Sequence, residues 1–475
     1  MKVRFAPSPT GYIHIGNART AFFNYLLAKK EGGSYVLRIE DTDEERSKKI
    51  YMHQIFKDLK WLGIEWNEGP DIGGDHGPYQ QSERRDIYEE YIEKLILQGD
   101  AYYCYYSEDE LKTFREEQLA NKQPPRFNRS AYPMSDEEVQ KRKEAGIQPA
   151  VRFEIKPQEL VINDLIRGEV KIDTATLSDF IIKRPSGMPT FHLAVCVDDG
   201  LMGITHVMRG EDHLSNTPKH ILLMKALGFD IPQFAHMSLT MGPGGEPLSK
   251  RLGAMSITEY REMGYRSEAL CNYMALLGWS LGNDQEFFYL DELKKVFSVD
   301  RMVKSPSVFD VTKLNWLCGL HMRELPDDVY LKEATQYALD NDIIDETDYK
   351  QRKEWYEIAL LLFKDSISYY GELKERLELF KPDFKYEDKS VIETEEAKSV
   401  LLAAKGAILG AGEFSLDSIP SIMKETKEKS GQKGKGLFLP IRMALTGELH
   451  GPELNKIIFL VTKDGCLERL EKALI

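Results

Sequence analysis

The sequence predicts an α/β protein: a parallel sheet of nucleotide-binding type, split by an inserted α+β segment and followed by an all-helical second half. Three observations predict it. Residues 3–39 read strand, loop, helix, strand. Between about 83 and 190 the composition changes, and apolar strand-like runs resume at Phe191. From Ser267 onward apolar residues recur only at helical spacing.

The first element is Val3-Arg4-Phe5-Ala6, an apolar strand broken by Pro7-Ser8-Pro9-Thr10-Gly11. His14-Ile15-Gly16-Asn17 then opens a helix whose stripe is Ala18, Ala21, Phe22, Tyr25 and Leu26, and Gly32-Gly33 stops it. Tyr35–Ile39 reads as the next strand and ends in Glu40-Asp41-Thr42-Asp43. Such βαβ crossovers are right-handed, and parallel sheets bind ligands beyond the carboxyl ends of their strands. That puts the His14 loop and Glu40 on one rim, beside a helix N-terminus that favours anions. Gly16 lets a nucleotide lie close to the backbone. A helix from Glu44 to about Leu62 follows, striped by Ile55, Phe56, Leu59 and Leu62, with Asp43 as its expected N-cap. Gly69-Pro70 and Gly73-Gly74 mark a long loop to Tyr79-Gln80-Gln81-Ser82-Glu83-Arg84.

Past Arg84, tyrosines cluster at Tyr102, Tyr103, Tyr105 and Tyr106. A charged helix is expected over Glu108–Ala120, with short strands at Val151–Phe153 and Val170–Ile172. The near-continuous apolar run Phe191–Asp199 is expected to be a strand buried on both faces. Residues 203–213 read as a strand ending in a charged turn, followed by a helix over Thr217–Leu227. A strand over Phe234–Thr240 leads into a polar loop, Gly242 to Arg251, and Ser256-Ile257-Thr258-Glu259 reads as a capping box. Helices are then expected at Ala269–Leu277, Trp355–Phe363, Val400–Leu409 and Leu437–Leu445, with no strand pairs and no repeat.

A chain of 475 residues predicts about three domains. Hydrophobic content of 42% and charged content of 29% fit a globular protein, and no apolar run has transmembrane length. The N-terminus enters a strand without a basic, apolar leader, and Cys104, Cys196, Cys271, Cys318 and Cys466 are scattered without a CxxC, so a cytoplasmic location is expected. The formal net charge of −14 argues mildly against nucleic acid as a partner, but binding needs only a local basic stripe. One candidate, Lys424, Lys427, Lys429, Lys433 and Lys435, is interrupted by Glu425 and Glu428 and reads as a solvated helix face. His192, His206, His213 and His220 show no ligand spacing on one helical face, so no metal site is expected.

Four strings go together: RFAPSPTG followed by HIGNAR, YxQSER at Tyr79–Arg84, TFHLAVxVDD…THVxRGEDHLSNTPKH from Thr190 to His220, and PLSKR at Pro247–Arg251. In this combination the chain resembles the class I aminoacyl-tRNA synthetases, most closely the bacterial-type glutamyl-tRNA synthetases. Late segments KLNWL at Lys313–Leu317 and LPIRMALTG at Leu439–Gly447 resemble landmarks of the same family, and the resemblance covers essentially the full chain.

The resemblance implies a Rossmann-type catalytic domain in two halves, 1–82 and 191–241, around an inserted acceptor-binding domain, 83–190. A lysine-loop and stem-contact domain, 242–324, and an all-helical anticodon-binding region, 325–475, follow. It implies ATP-dependent activation of glutamate and transfer to the terminal 2′-hydroxyl of tRNA(Glu), by a monomer. Arg4 and Arg209 would hold the γ-carboxylate and Glu40 the α-amino group, with Ala6, Ser8 and Phe191 lining the pocket. His14, Gly16, Asp212, Ser249, Lys250 and Arg251 would bind ATP, with His14 and Lys250 as the catalytic pair and Mg²⁺ accompanying the nucleotide. Neither step needs a nucleophilic side chain, so catalysis is expected to rest on positioning and charge stabilisation.

Three departures stand out. Many relatives carry a zinc in the insertion on two Cys-x-Cys or Cys-x-His pairs. This chain has Tyr106 two residues after Cys104 and no further Cys or His before His192, so no structural zinc is expected. Phe191 stands where the family usually has tyrosine, and Pro247 where the lysine loop usually has its first lysine. A glutaminyl relative is argued against by RIEDTD at Arg38–Asp43 and by Arg209. A small-molecule nucleotidylyltransferase would have no use for about 200 helical residues after the lysine loop. A non-discriminating enzyme that also charges tRNA(Gln), and a tRNA-binding paralogue without catalysis, stay open.

Overall fold

Lys2–Phe5 (β1) and Ser34–Leu37 (β2) run parallel in the computed structural model, in register from Lys2↔Ser34 to Phe5↔Leu37. The structure describes every residue except 44–45, 247, 249–254 and 383. Helix Ile15–Lys30 (α1) is the crossover between the two strands. His14 caps it, its Nδ1 accepting the Gly16 N–H at 3.2 Å. Ile15, Ala18, Ala21, Phe22 and Leu26 are buried along its length. Gly32, at φ +59°, ends it in a conformation that side chains with a Cβ rarely adopt.

The next helix corrects one expectation. It spans Lys49–Trp61 (α2), capped at an extended Lys48, not at Asp43. The Lys48 N–H donates to the Pro9 carbonyl at 3.1 Å, which holds residue 48 out of helical geometry. Arg85–Gln98 (α3) is followed by Ala101–Cys104 (β3), Glu108–Ala120 (α4), Asp136–Glu144 (α5), Ala150–Phe153 (β4), Glu159–Asp164 (β5), Gly168–Asp173 (β6) and Phe180–Lys183 (β7). β3, β4 and β7 form one antiparallel sheet, and β5 and β6 a hairpin. Tyr106 packs edge-on to Phe114 and Phe127 with ring centroids 5.1 and 5.7 Å away, and Phe114 stacks on Tyr132 at 4.2 Å. Among the described residues no three His, Cys, Asp or Glu side chains are grouped to hold a metal.

Phe191–Leu201 (α6) is a helix, where the apolar run predicted a strand. A short continuous apolar run does not distinguish a buried strand from a buried helix. The helix spans 11 residues and is buried from Leu193 to Asp199. The difference matters for Asp198 and Asp199. On a strand they would face opposite sides, whereas on a helix both can turn to one side. His206–Gly210 (β8), Thr217–Leu227 (α7) and Gln233–Met237 (β9) form a second βαβ, with β8 and β9 parallel. The Thr205 N–H donates to the Lys2 carbonyl at 2.9 Å, bringing the second βαβ alongside the first.

Thr240–Met241 (β10) pairs in parallel with Ser307–Val308 (β11), a short pairing that helical spacing after Ser267 gave no reason to expect. The capping box at Ser256 is present: Glu259 N donates to Ser256 Oγ at 3.2 Å, and Ser256 N to Glu259 Oε2 at 2.6 Å.

Two compact units result, Met1–Tyr260 with Leu270–Val311, and Arg261–Ala269 with Thr312–Ile475. The second is built of helices, including Lys353–Phe363, Glu395–Gly410, Ile419–Ser430 and Lys435–Thr446, around Leu360, Val400, Leu401, Ile441, Leu445, Ile457 and Leu470. The lysines of the 424–435 stripe are all exposed, and Lys429 pairs with Glu425 at 2.5 Å. Among the described residues no helix is long and apolar enough to cross a membrane.

Candidate active site

Buried charge is concentrated where the carboxyl ends of β1 and β2 meet α6. Arg38 is fully buried, 2.7 Å from Asp199 and 3.2 Å from Glu40. Asp198, also fully buried, accepts from Arg84 Nε at 2.7 Å, Gln81 Nε2 at 2.9 Å and Tyr88 Oη at 2.9 Å. Arg4 donates its Nε–H to both oxygens of Asp199 at 3.3 Å. Burial alone would push the Asp199 carboxyl up, but the Arg4 and Arg38 guanidiniums more than offset that and hold it below the ordinary range. Glu40 is raised, because burial outweighs Arg38 and Arg4. Ions this far from water persist only when paired. Here Arg4, Arg38 and Arg84 are matched by Asp198, Asp199 and Glu40.

Within this cluster of Arg4, Arg38, Arg84 and Arg209, Arg209 is the exception. It is 6% exposed, and among the described residues it makes no ion pair. Its partners are neutral: Nε donates to His236 Nε2 at 3.2 Å, Nη1 lies 3.3 Å from His220 Nδ1, and Nη2 donates to Thr217 Oγ1 at 2.9 Å and to the His213 carbonyl at 3.3 Å. Its carbon lies 5.6 Å from the Phe234 ring centroid. Burial first, then Arg4, lower its pKa to about 10 against the opposing pull of Asp199 and Glu40. Arg4, Arg209 and Glu40 thus lie within one electrostatic neighbourhood, with one positive charge lacking a carboxylate. A substrate carboxylate is the group that would complete it.

The other expected residues fall around this centre. The Glu40 N–H donates to the Pro7 carbonyl at 3.0 Å, which sets half-buried Ala6 and exposed Ser8 beside Glu40. Phe191 opens α6, its ring centroid 5.6 to 5.7 Å from those of His213 and His220. Asp212 is exposed and lies 3.6 Å from His213 Nε2. His14 forms an antiparallel bridge with Ser256, and Ile257 N donates to the Ile13 carbonyl at 2.9 Å. The described segment after the polar loop therefore returns to the His14 and Gly16 turn. Pro247, Ser249, Lys250 and Arg251 lie outside the described residues.

Sequence reasoning missed Arg38, Arg84, Asp198, Asp199, His220 and His236 as parts of the site. A signal existed for two of them: consecutive acids at the end of a buried apolar run need cationic partners. Nothing in the linear order says that those partners are Arg4, Arg38 and Arg84.

Residues 1–316 match the family described as tRNA synthetases class I (E and Q), catalytic domain, and residues 330–474 match an anticodon binding domain. The chain is 44% identical to a glutamate–tRNA ligase from Sulfurihydrogenibium sp. (strain YO3AOP1), over 100% of this chain and 99% of that one. It is 40% identical to the glutamate–tRNA ligase of Bacillus subtilis (strain 168), over 99% of each. A crystal structure of a glutamate tRNA ligase from Elizabethkingia meningosepticum CCUG26117, in complex with its amino acid, superposes with a TM-score of 0.88 at 31% identity, covering 100% of this chain and 99% of that one. A buried cationic pair on the rim of a parallel βαβ sheet, and full-length likeness at this level, lead to one conclusion: the chain belongs to the class I tRNA synthetases, in the glutamate–tRNA ligase family.

Proposed function

We propose that this protein activates L-glutamate with ATP and transfers it to tRNA(Glu) in the cytoplasm. A glutamate α-carboxylate oxygen attacks the α-phosphorus, and the bond to the bridging oxygen of pyrophosphate breaks. The 2′-hydroxyl of the terminal adenosine then attacks the glutamyl carbonyl and AMP leaves. Arg4 and Arg209 hold the γ-carboxylate, Glu40 takes the α-ammonium, and Ala6, Ser8 and Phe191 line the pocket. His14, Gly16 and Asp212 meet ATP, with Ser249, Lys250 and Arg251 on the pyrophosphate side and His14 and Lys250 acting on the developing phosphate charge. Mg²⁺ enters with ATP, held largely by phosphates and waters. The insertion 83–190 takes the acceptor end, 242–324 the stem and 325–475 the anticodon, around the catalytic halves 1–82 and 191–241.

The observation that carries this reading is Arg209, a buried guanidinium with neutral partners, beside an Arg4 whose two terminal nitrogens make no hydrogen bond among the described residues. Glutamine would leave that charge unmatched, and a site built around a polar contact discriminates by roughly 10⁴ or more. The test is aminoacylation with labelled glutamate and labelled glutamine on separate tRNA(Glu) and tRNA(Gln) transcripts. Glutamate on tRNA(Glu) alone supports a discriminating enzyme, and glutamate on both a non-discriminating one. Glutamine loading, or none, overturns the roles of Arg4 and Arg209.

A further inference from the structure

Asp164 is the last residue of β5, in the inserted hairpin. Along β5 burial alternates, and Leu160, Ile162 and Asp164 face inward. An acid thus stands where the pattern calls for a third apolar residue. Leu160 and Ile162 join Val207, Ile221 and Phe234 in one apolar cluster, so the hairpin is seated against β8 and β9. Asp164 is 4% exposed and fully used. Its Oδ1 accepts from Ile166 N at 2.9 Å and Arg167 N at 2.8 Å, and its Oδ2 from His236 N at 3.1 Å. Its Oδ2 also lies 2.6 Å from His236 Nδ1. Arg167 Nε donates to the His236 carbonyl at 3.2 Å, so the insertion grips this one residue of β9 at its backbone and its ring.

We infer that Asp164 and His236 are positioning residues for Arg209: by accepting the Nδ1 proton, Asp164 fixes the tautomer in which His236 Nε2 receives the Arg209 Nε–H. A neutral imidazole has one donor and one acceptor nitrogen, and the bond made by one nitrogen sets the role of the other. Burial lowers the His236 pKa against the pull of Asp164, which keeps the ring neutral. In the opposite tautomer Nε2–H would face Nε–H, and Arg209 Nε would lose its acceptor. Thr217 Oγ1, 3.0 Å from His236 Nε2 and 2.9 Å from Arg209 Nη2, closes the triangle. The inserted hairpin thereby helps to set the choice of amino acid.

The inference rests on Arg209 contacting glutamate, and the test separates the two. Glutamate and ATP KM values are measured for the full chain by pyrophosphate exchange in the presence of tRNA(Glu), alongside thermal melting. Asp164→Asn keeps the shape but offers an amide N–H to Nδ1, which reverses the tautomer. His236→Gln can turn its amide oxygen to Arg209, and His236→Phe cannot. Asp164→Asn and His236→Phe are expected to raise the glutamate KM roughly tenfold with little change in the ATP KM, and His236→Gln much less. In the His236→Gln background Asp164→Asn is expected to add almost nothing, since no tautomer remains to be set. If Arg209→Lys leaves the glutamate KM unchanged, the reading of Arg209 fails, and this inference with it. If Arg209→Lys raises it while folded Asp164→Asn and His236→Phe do not, Arg209 keeps its role and the positioning pair is refuted. Should Asp164→Asn not fold, equal glutamate KM values for His236→Phe and His236→Gln refute it instead.

Discussion

Arg4 is tied to Asp199 through Nε alone, 3.3 Å from each carboxylate oxygen, so its terminal nitrogens are held in place without being consumed. An arginine anchored at its neck presents a two-pronged end to a carboxylate, which lysine cannot do. Arg4→Lys is therefore expected to raise the glutamate KM by roughly ten- to a hundredfold, the loss of one charge-assisted bond, while leaving the ATP KM nearly unchanged. Pyrophosphate exchange at varied glutamate, with tRNA present, checks it.

Asp198 carries the opposite kind of load. It is fully buried and accepts from Arg84, Gln81 and Tyr88, with Arg38 Nε 3.6 Å away. Asp198→Ala strands the Arg84 charge and weakens the hold on Arg38. A loss of about 3–5 kcal/mol is expected, lowering Tm by roughly 10 °C. Calorimetry of the variant tests this.

The histidines around Arg209 predict an acid limit. Burial first, then Lys219 and Arg209, lower His192 from 6.5 to about 4. Burial first, then Arg209, place His220 well below 6.5. A folded pKa below the unfolded value means that the unfolded chain binds more protons as pH falls through 6.5. Their contribution to stability is complete above about pH 6.5 and is lost progressively toward pH 4. Tm should therefore fall across that window, and His192→Gln should flatten the slope.

Gly16 follows the capping histidine, and a Cβ there would lie 3.2 Å from His14 Cε1 and Nδ1. The ring must move to admit it. Gly16→Ala is expected to leave the melting temperature nearly unchanged and to cut kcat roughly tenfold or more, since small misplacements at a reacting centre are costly. Steady-state kinetics with thermal melting separates the two effects.

Much of this was legible in the residue order. Helical spacing identified the Ile15–Lys30, Thr217–Leu227 and Lys353–Phe363 helices, because periodicity of apolar residues reports the face that is buried. The strings around Arg4, His14, Tyr79 and Arg209 identified the family, because a site needs particular residue types at particular spacings. Periodicity failed at Phe191–Asp199, where a segment buried on all sides shows none.

What the sequence by itself determined is therefore the class of fold, the family and the residues to inspect. Tertiary structure alone decided which charges are paired. Arg4 and Asp199 are 195 positions apart, and Asp164 and His236 are 72 apart. The worth of each charge depends on burial and on who stands beside it, and neither is a property of the linear chain. The four buried arginines of this site look alike in the sequence. Folding gives carboxylates to Arg4, Arg38 and Arg84, and surrounds Arg209 with neutral imidazoles and a hydroxyl.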